Sequence, residues 1–351
     1  MRKLLLTFII IYPIFFACNK NKEVHVQLEG KPFEKLSQYQ FFLGEVKNLS
    51  PNKGVLPYDL ITPLFTDYAH KARFVWMPEG TSATFSPSEA FDFPTGAVLI
   101  KNFYYPDDFR KPNGDRKILE TRILLHKKSG WESLEYIWNE EQTDAFLEQA
   151  GDSKKISWID ENGYKQETIY LFPNKNQCKN CHNLNNVMAP IGPKARNINC
   201  DFNYSDGKAN QIDKWKQSGY LSECNISTEK IDALTRWDDT NAPVELRAKS
   251  YLEVNCSHCH RNEGNANTSG LYLLLSDKNP ESWGIMKSPV AAGKASGNCL
   301  YDVVPDKPDE SIFVYRMNSI DPGIMMPELG RTMIHHEGVA LIRQWISEMK
   351  P

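Results

Sequence analysis

The sequence predicts an α+β fold, in which an N-terminal antiparallel β domain is followed by a mainly α-helical domain. Residues 36–177 are rich in β-branched and aromatic side chains, most clearly at residues 98–104. Asn162-Gly163, the strongest hairpin signal of the chain, separates two such segments. From residue 241 onward the apolar residues recur at helical spacing instead, which predicts helices in the C-terminal third.

Each element is predicted from its local pattern. Runs of β-branched and aromatic residues predict strands at 74–76, 98–104, 120–125, 134–138, 156–158 and 168–170. Short helices are predicted at 142–150, 211–220 and 228–236, and further helices begin at Pro243, Pro308 and about Glu337. The leucine-rich run 271–275 is predicted to add one more strand.

Length and composition exclude several classes of protein. A chain of 351 residues is long enough for two domains with their own cores. Its 41% hydrophobic and 24% charged residues are typical of a globular protein. The net charge of −3 comes with no basic face, so the sequence gives no reason to expect nucleic-acid binding.

The N-terminus is typical of an export signal. A positively charged start, an apolar run over residues 4–16 and a small residue before Cys18 resemble a bacterial lipoprotein signal. The run is shorter than the ~20 residues of a membrane-spanning helix. We therefore expect residues 1–17 to be removed, Cys18 to carry lipid and residues 18–35 to form a tether. Asn19 favours the outer membrane, facing the periplasm; an ordinary secretory signal with an incidental cysteine is the alternative.

Two Cys-x-x-Cys-His motifs, at residues 178–182 and 256–260, organise the rest of the chain. This is the attachment sequence of c-type haem, in which the thiols form thioethers and the histidine binds iron. A redox Cys-x-x-Cys does not require the histidine, and a zinc site usually needs a second pair within ~12–20 residues. The sequence therefore predicts two covalently bound haems c. The residues that would hold them are Cys178, Cys181 and His182 in the first motif and Cys256, Cys259 and His260 in the second.

Met326 is the predicted sixth ligand of the second haem. It precedes Pro327 in a loop ahead of the terminal helix, where many cytochromes c carry a distal methionine. A thioether is a soft donor that raises the reduction potential of the iron. Met325 is the next candidate, and two methionines that only fill gaps in the core are the alternative.

The sixth ligand of the first haem stays open at this stage. Met188, His70 and His126 are the protein candidates, and an open coordination site is the alternative. His258 and the pair His335-His336 are expected to be solvated. Four basic residues are candidate partners of the haem propionates: Lys194, Arg196, Arg316 and Arg331.

With both motifs and the loop at residues 322–327 that carries Met325 and Met326 (the methionine loop), the chain resembles a family of bacterial diheme c-type cytochromes. Members of that family are often exported or lipid-anchored. The matching stretches are residues 63–69, 73–76, 173–174, 176–179 and 321–331. The resemblance implies covalent haem at both motifs, with His182 and His260 proximal, and it names no substrate. Residues 241–351 alone, with a helix before the motif and a methionine loop, resemble the cytochrome c fold. The β domain, at residues 93–101, is similar to monoheme cytochromes that oxidise hydroxylamine; no role for Lys101 is taken from that similarity.

Three cysteines remain once lipid and haem attachment are counted. A disulfide between Cys200 and Cys224 would leave Cys299 free in an oxidising compartment. The alternative is that all three cysteines are buried and unpaired.

The predicted organisation is therefore a signal peptide (1–17), a tether (18–35), a β domain (36–177), the first motif with a helical linker (178–240) and a cytochrome c-like domain (241–351). The function expected first is single-electron transfer between a redox donor and a redox acceptor protein of the periplasm. The alternative is a haem enzyme that uses an open first haem to bind peroxide, a nitrogen oxide or another small molecule. A haem-containing accessory subunit whose β domain docks a partner is a third hypothesis.

Overall fold

The computed structural model describes residues 23–222 and 224–350. The strands, in chain order, are β1 (Leu56–Tyr58), β2 (His70–Trp76), β3 (Ala83–Thr84), β4 (Val98–Pro106), β5 (Arg116–Lys127), β6 (Gly130–Trp138), β7 (Ala145–Glu148), β8 (Asp152–Ile159), β9 (Lys165–Phe172), β10 (Asn183–Leu184), β11 (Val187–Met188), β12 (Asp201–Tyr204), β13 (Gly207–Asn210) and β14 (Leu221–Ser222). The α-helices are α1 (Lys175–Cys181), α2 (Ala195–Ile198), α3 (Gln211–Gln217), α4 (Val244–Asn255), α5 (Ile312–Met317) and α6 (His336–Ser347).

The central element is an antiparallel sheet of six strands in the order β1-β2-β4-β5-β6-β7. The position of β4 inside the sheet explains why its first three residues, 98–100, are all apolar rather than alternating. Val98 and Ile100 point into a core that includes Tyr39, whereas Leu99 points into a second core that includes Trp215. Because both faces of the sheet are covered, both faces of its central strand carry apolar side chains. The strands predicted in the N-terminal half are confirmed.

The predicted hairpin at residues 156–170 is also confirmed. Strands β8 and β9 pair antiparallel, and Gly163 adopts a positive φ of 87° in the connecting turn. Their buried aromatic residues pack against Phe103 and Tyr105 of the central sheet. The hairpin therefore extends the sheet region and leads directly into α1.

The helix predicted at residues 142–150 is wrong. This segment contains the edge strand β7, in which Ala145 is buried and Phe146 is exposed. Pairing with β6 and burial of alternate side chains overcome the local helix preference. Residues 228–236 contain only a short 3-10 turn, Thr228–Lys230, whereas the helix predicted at 211–220 is confirmed as α3.

The mainly α-helical, cytochrome c-like domain predicted for residues 241–351 is wrong. Helices α4, α5 and α6 there have 12, 6 and 12 residues, and loops with short 3-10 turns make up most of the rest. Helices make up 22% of the described residues, and the largest regular element is the six-stranded antiparallel sheet. The physical reason is the density of glycine, proline, asparagine and aspartate between α4 and α5, residues that favour turns. The strand predicted at 271–275 is likewise an irregular segment.

Residues 63–69 fasten the sheet region to the C-terminal third. The buried carboxylate of Asp67 accepts hydrogen bonds from the backbone N–H of Thr332 (2.8 Å) and Met333 (2.8 Å). The Phe65 N–H donates to Asn255 at the end of α4 (2.8 Å). These bonds hold both the second motif and the methionine loop against the sheet.

No helix within the described ranges is long and apolar enough to cross a membrane. The lipoprotein signal, Cys18 and the first part of the tether lie outside the described residues.

Candidate functional site

The two motifs, 78 residues apart in sequence, meet at one cavity of about 680 Å³. Pockets of roughly 300–1,000 Å³ take organic ligands and cofactors. Sheet strands, α1, α4 and the methionine loop form its walls. The attachment residues in its lining are Cys178, Cys181, His182 and Cys256. Cys259 and His260 follow on the same turn as Cys256 and are outside the lining.

A capped helix presents the first motif. Helix α1 follows β9 after two residues, and Asn174 forms a capping box with Gln177 at its start. The Asn174 side chain accepts from the Gln177 N–H (3.0 Å), and the Gln177 side chain accepts from the Asn174 N–H (2.9 Å). Cys178 and Cys181, three positions apart, therefore lie on one face of the helix.

The orientation of His182 is that of a metal-binding imidazole. Its Nδ1 lies 3.0 Å from the carbonyl oxygen of Ala189, which the β10–β11 hairpin brings back to it. Because a carbonyl only accepts, Nδ1 carries the hydrogen and the lone pair is on Nε2. Burial lowers the pKa of His182 to about 4, so the ring is neutral at pH 7.

The second motif orients its histidine by the same device. His260 Nδ1 lies 3.2 Å from the hydroxyl oxygen of Ser269, which itself donates to the Ala266 carbonyl (2.6 Å). The hydroxyl is therefore the acceptor for Nδ1, and Nε2 again keeps its lone pair. Gly264 makes the turn feasible, because a Cβ at that position would collide with the carbonyl oxygen of Cys259.

The segments that follow the two motifs are hydrogen-bonded to each other. Asn265 donates to the Asn180 carbonyl inside the first motif (2.5 Å) and accepts from the Asn183 side chain. The Asn185 N–H donates to the Glu263 carbonyl (2.8 Å). The two attachment sites are therefore immediate neighbours.

Met325 and Met326 both line the cavity, and two arginines hold their loop. The buried guanidinium of Arg331 donates to the carbonyls of Met326 and Ser319, both at 2.8 Å. Arg316 donates to the Ile324 carbonyl (2.8 Å). These two propionate candidates therefore bind backbone carbonyls. The other two, Lys194 and Arg196, pair with the buried Glu253 at 3.6 and 3.2 Å.

One row of the sheet presents charged side chains to the cavity beside the first motif. Arg73, Lys101, Arg122 and Glu135 are successive cross-strand partners on β2, β4, β5 and β6, and all four line the cavity. Burial, with the charges of Arg73 and Arg122, lowers the pKa of Lys101 to about 7. Burial and the neighbouring Glu120 raise the pKa of Glu135 to about 11, so this carboxyl is protonated at pH 7. Two cations of the row are paired with carboxylates, Arg73 with Asp59 (2.6 Å) and Arg122 with Glu120 (2.5 Å), so Lys101 is the cation of the row that these ion pairs leave available to a haem carboxylate. The sequence gives no signal of this row, because its members are spread over four strands.

The three protein candidates for the first haem's sixth position are not among the lining residues. Met188 pairs with Asn183 in the β10–β11 hairpin. The His70 ring packs on Phe109 with centroids 4.7 Å apart. His126 Nδ1 lies 2.8 Å from the Phe93 carbonyl oxygen, and its ring stacks on Trp131.

Two histidines that were expected in solvent line the cavity instead, and that expectation is wrong for both. His335 stacks on Phe65 with ring centroids 4.3 Å apart, and its Nδ1 lies 3.0 Å from the Tyr251 hydroxyl. His258 has a buried Nδ1 with no hydrogen-bond partner. His336 is exposed, as expected.

The described cysteines are all free thiols, so the Cys200–Cys224 pairing is not formed in this structure. Burial raises the pKa of Cys256 and Cys259 to about 12, whereas a redox-active Cys-x-x-Cys lowers the pKa of one thiol. Over residues 23–222 and 224–350, no three His, Cys, Asp or Glu side chains are grouped to hold a single metal ion.

Comparison of the chain with protein-family models, curated proteins and solved structures found no match.

Proposed function

We propose that this chain is an exported diheme c-type cytochrome that transfers single electrons in the cell envelope, as the family it resembles implies. The observation that carries the proposal is the meeting of two haem-attachment motifs at one cavity, each with a histidine whose Nδ1 is already hydrogen-bonded. Its partners would be a redox donor and a redox acceptor protein of the periplasm. Lipid on Cys18 would anchor it to the outer membrane.

When bound, each haem supplies an iron that alternates between the ferrous and ferric states. The chain's own residues would attach the two haems, orient them and neutralise their propionates. The thioether positions are Cys178 and Cys181 for the first haem and Cys256 and Cys259 for the second. His182 and His260 would each bind an iron through Nε2, and Met326 would be a further ligand at the second site.

The charge and rigidity of the site support electron transfer. Lys101 on the sheet, beside the ion-paired Arg73 and Arg122, would neutralise a buried propionate at the first site. Arg316 and Arg331 fix the methionine loop through backbone carbonyls, so its geometry would change little between redox states. Small geometric change favours electron transfer over binding of a small substrate.

A haem enzyme at the first site is the second candidate, and one observation favours it. The protonated Glu135 beside the cationic row could donate a proton to a bound peroxide or nitrogen oxide. This function requires an open sixth position at the first haem. Binding of carbon monoxide or cyanide to the matured protein distinguishes the two candidates.

Haem content of the matured protein tests the proposal. We expect secretion from a bacterium with c-type haem maturation to give two haems per chain by pyridine haemochrome, and two covalent porphyrin increments by intact mass. Cys178→Ser with Cys181→Ser should lower haem content to one, and so should Cys256→Ser with Cys259→Ser. The matched control, Cys200→Ser, removes a cysteine outside the motifs and should keep both haems. A colourless protein without a mass increment contradicts the proposal.

A further inference from the structure

Residues 23–42, which we call the N-terminal layer, cover one face of the six-stranded sheet. The second half of the layer contributes four buried side chains to the core that contains Ile100 of β4: Leu36, Tyr39, Phe41 and Phe42. The first half packs partly buried apolar side chains against the same core: Val24, Val26, Leu28 and Phe33. The layer therefore belongs to the folded body from its first residues onward.

Hydrogen bonds also hold the layer in place. The His25 N–H donates to the Tyr39 carbonyl (2.8 Å), which ties the beginning of the layer to its buried second half. The Tyr136 hydroxyl of β6 donates to the Phe33 carbonyl (2.7 Å), which ties the layer to the sheet. These contacts give the chain from His25 onward a fixed place on the sheet.

The haem motifs lie on the other face of the sheet. Successive residues of a strand point to opposite faces, so Lys101 points away from the side on which Ile100 meets the layer. Lys101 lines the cavity together with Arg122 and Glu135 of the same row. Glu135 is likewise followed by Tyr136, whose hydroxyl bonds to the layer. The sheet therefore stands between the layer and the cavity at which both motifs meet.

The chain between the proposed lipid and the layer is short. Five residue steps separate Cys18 from the exposed Glu23, the first residue that the structure describes, and five steps reach at most ~18 Å. A folded body of about 330 residues has a radius of gyration of ~20 Å and is therefore roughly 50 Å across. So short a connection cannot bring the far side of the sheet onto the bilayer. Lys20 and Lys22 within it add electrostatic attraction to anionic lipids.

We propose that this short connection holds the N-terminal layer against the bilayer surface, so that both haem motifs face away from the membrane. The inference rests on the proposed function and deepens it, because lipid on Cys18 is what brings the layer to the bilayer. The surface in contact with lipid headgroups includes the exposed residues of the layer: His25, Glu29, Lys31 and Lys35. The redox partners of the haems are then water-soluble proteins, whereas a quinol dissolved in the bilayer is kept on the opposite side of the sheet.

Lysine labelling of the lipidated holoprotein tests this orientation without an activity assay. The protein is bound to vesicles of phosphatidylethanolamine and phosphatidylglycerol and treated with a membrane-impermeant amine reagent, and each lysine is followed by mass spectrometry. We expect Lys31 and Lys35 to be labelled several-fold more slowly than in Cys18→Ser, which cannot carry lipid. Lys179 of the first motif and Lys278 of the C-terminal third, both exposed, are the matched controls and should be labelled equally in the two proteins. Equal labelling of Lys31 and Lys35 in the two proteins, or protection of Lys179 or Lys278, overturns the inference.

A longer connection tests the physical cause. An insertion of about 20 glycine and serine residues after Lys22 leaves every described residue unchanged and allows the body to turn over. The inserted protein should keep its lipid and lose the protection of Lys31; continued protection overturns the inference, because the connection would then not set the orientation. Intact mass reports the acyl chains and the two porphyrin increments in each protein. A protein that lacks either shows that the proposed function has failed, whereas a lipidated diheme protein with an unprotected Lys31 shows that the orientation alone is wrong.

Discussion

The first motif is supported by regular structure, and the second by individual side chains. Helix α1 is capped, follows the β8–β9 hairpin and faces a row of strand residues whose positions are set by sheet register. The second motif and the methionine loop lie among irregular segments, where Asp67, Arg331 and Ser269 each bond backbone or histidine atoms directly. In the sheet region many equivalent backbone hydrogen bonds each contribute a small part of the stability. We therefore expect single polar substitutions to be much more damaging around the second motif.

Arg331→Met gives the largest expected effect. Its guanidinium donates to four carbonyls, those of Met317, Ser319, Met326 and Met333. Leaving several buried carbonyls without donors should lower the free energy of unfolding by about 3–5 kcal/mol. Chemical denaturation measures this loss. Arg343→Met, at an arginine 39% exposed, is the control and should change stability by less than about 0.5 kcal/mol. Similar losses for the two variants would mean that the four carbonyl bonds of Arg331 add nothing to stability beyond the effect of an exposed arginine.

Asp67→Ala should have the next largest effect. Its carboxylate accepts hydrogen bonds from the N–H groups of Thr332 and Met333 and from the Thr332 hydroxyl. The two N–H groups lose their acceptor once the carboxylate is removed, whereas the Thr332 hydroxyl also reaches the Ile169 carbonyl (3.3 Å), so we expect a loss of about 2–4 kcal/mol. The methionine loop should loosen first, which hydrogen exchange of residues 317–335 would detect. Uniform exchange along the chain would indicate instead that Asp67 stabilises the sheet itself.

The sheet region is sensitive to charge rather than to single hydrogen bonds. Glu135 is protonated in the folded protein because its pKa is raised to about 11, while the unfolded carboxyl has an ordinary pKa near ~4.3. The folded state therefore binds more protons at Glu135 above that ordinary pKa, and this group makes stability fall as pH rises, by up to about 1.4 kcal/mol per pH unit. Lys101, whose pKa is lowered to about 7, contributes a slope of the opposite sign above pH 7. Glu135→Gln mimics the neutral carboxyl, so the stability of this variant should rise more steeply with pH, or fall less, than that of the unsubstituted protein. Unfolding curves of both proteins between pH 6 and 9 measure the difference; equal slopes would mean that Glu135 is ionised.

Prediction from the sequence succeeds in the sheet region and fails more often in the irregular segments around the second motif. Val98-Leu99-Ile100 and the Asn162-Gly163 turn predict their elements because each pattern reports on immediate neighbours. Helix α4 is also predicted, but of the three residues whose spacing predicts a buried side, Tyr251 and Leu252 are buried whereas Leu246 is exposed. The loops between α4 and α6 are not, because their form depends on distant partners such as Asp67. The motifs likewise predict the cysteines and histidines that would attach haem, whereas the place of His258 in the cavity lining follows from the packing of one motif against the other.

The smallest expected effect concerns the contact between the two regions. Asn265 is exposed, and its side chain bonds the Asn180 carbonyl and the Asn183 side chain across the motifs. Asn265→Ala should therefore cost only about 0.5–1.5 kcal/mol in the free energy of unfolding. Chemical denaturation of the variant beside the unsubstituted protein measures this loss. Asn262→Ala, at a neighbouring exposed asparagine, is the control. An Asn265→Ala protein as stable as the unsubstituted one would place the coupling of the regions in other bonds, such as that of Arg261 to Glu89 (2.8 Å) and that of the Phe65 N–H to Asn255 (2.8 Å).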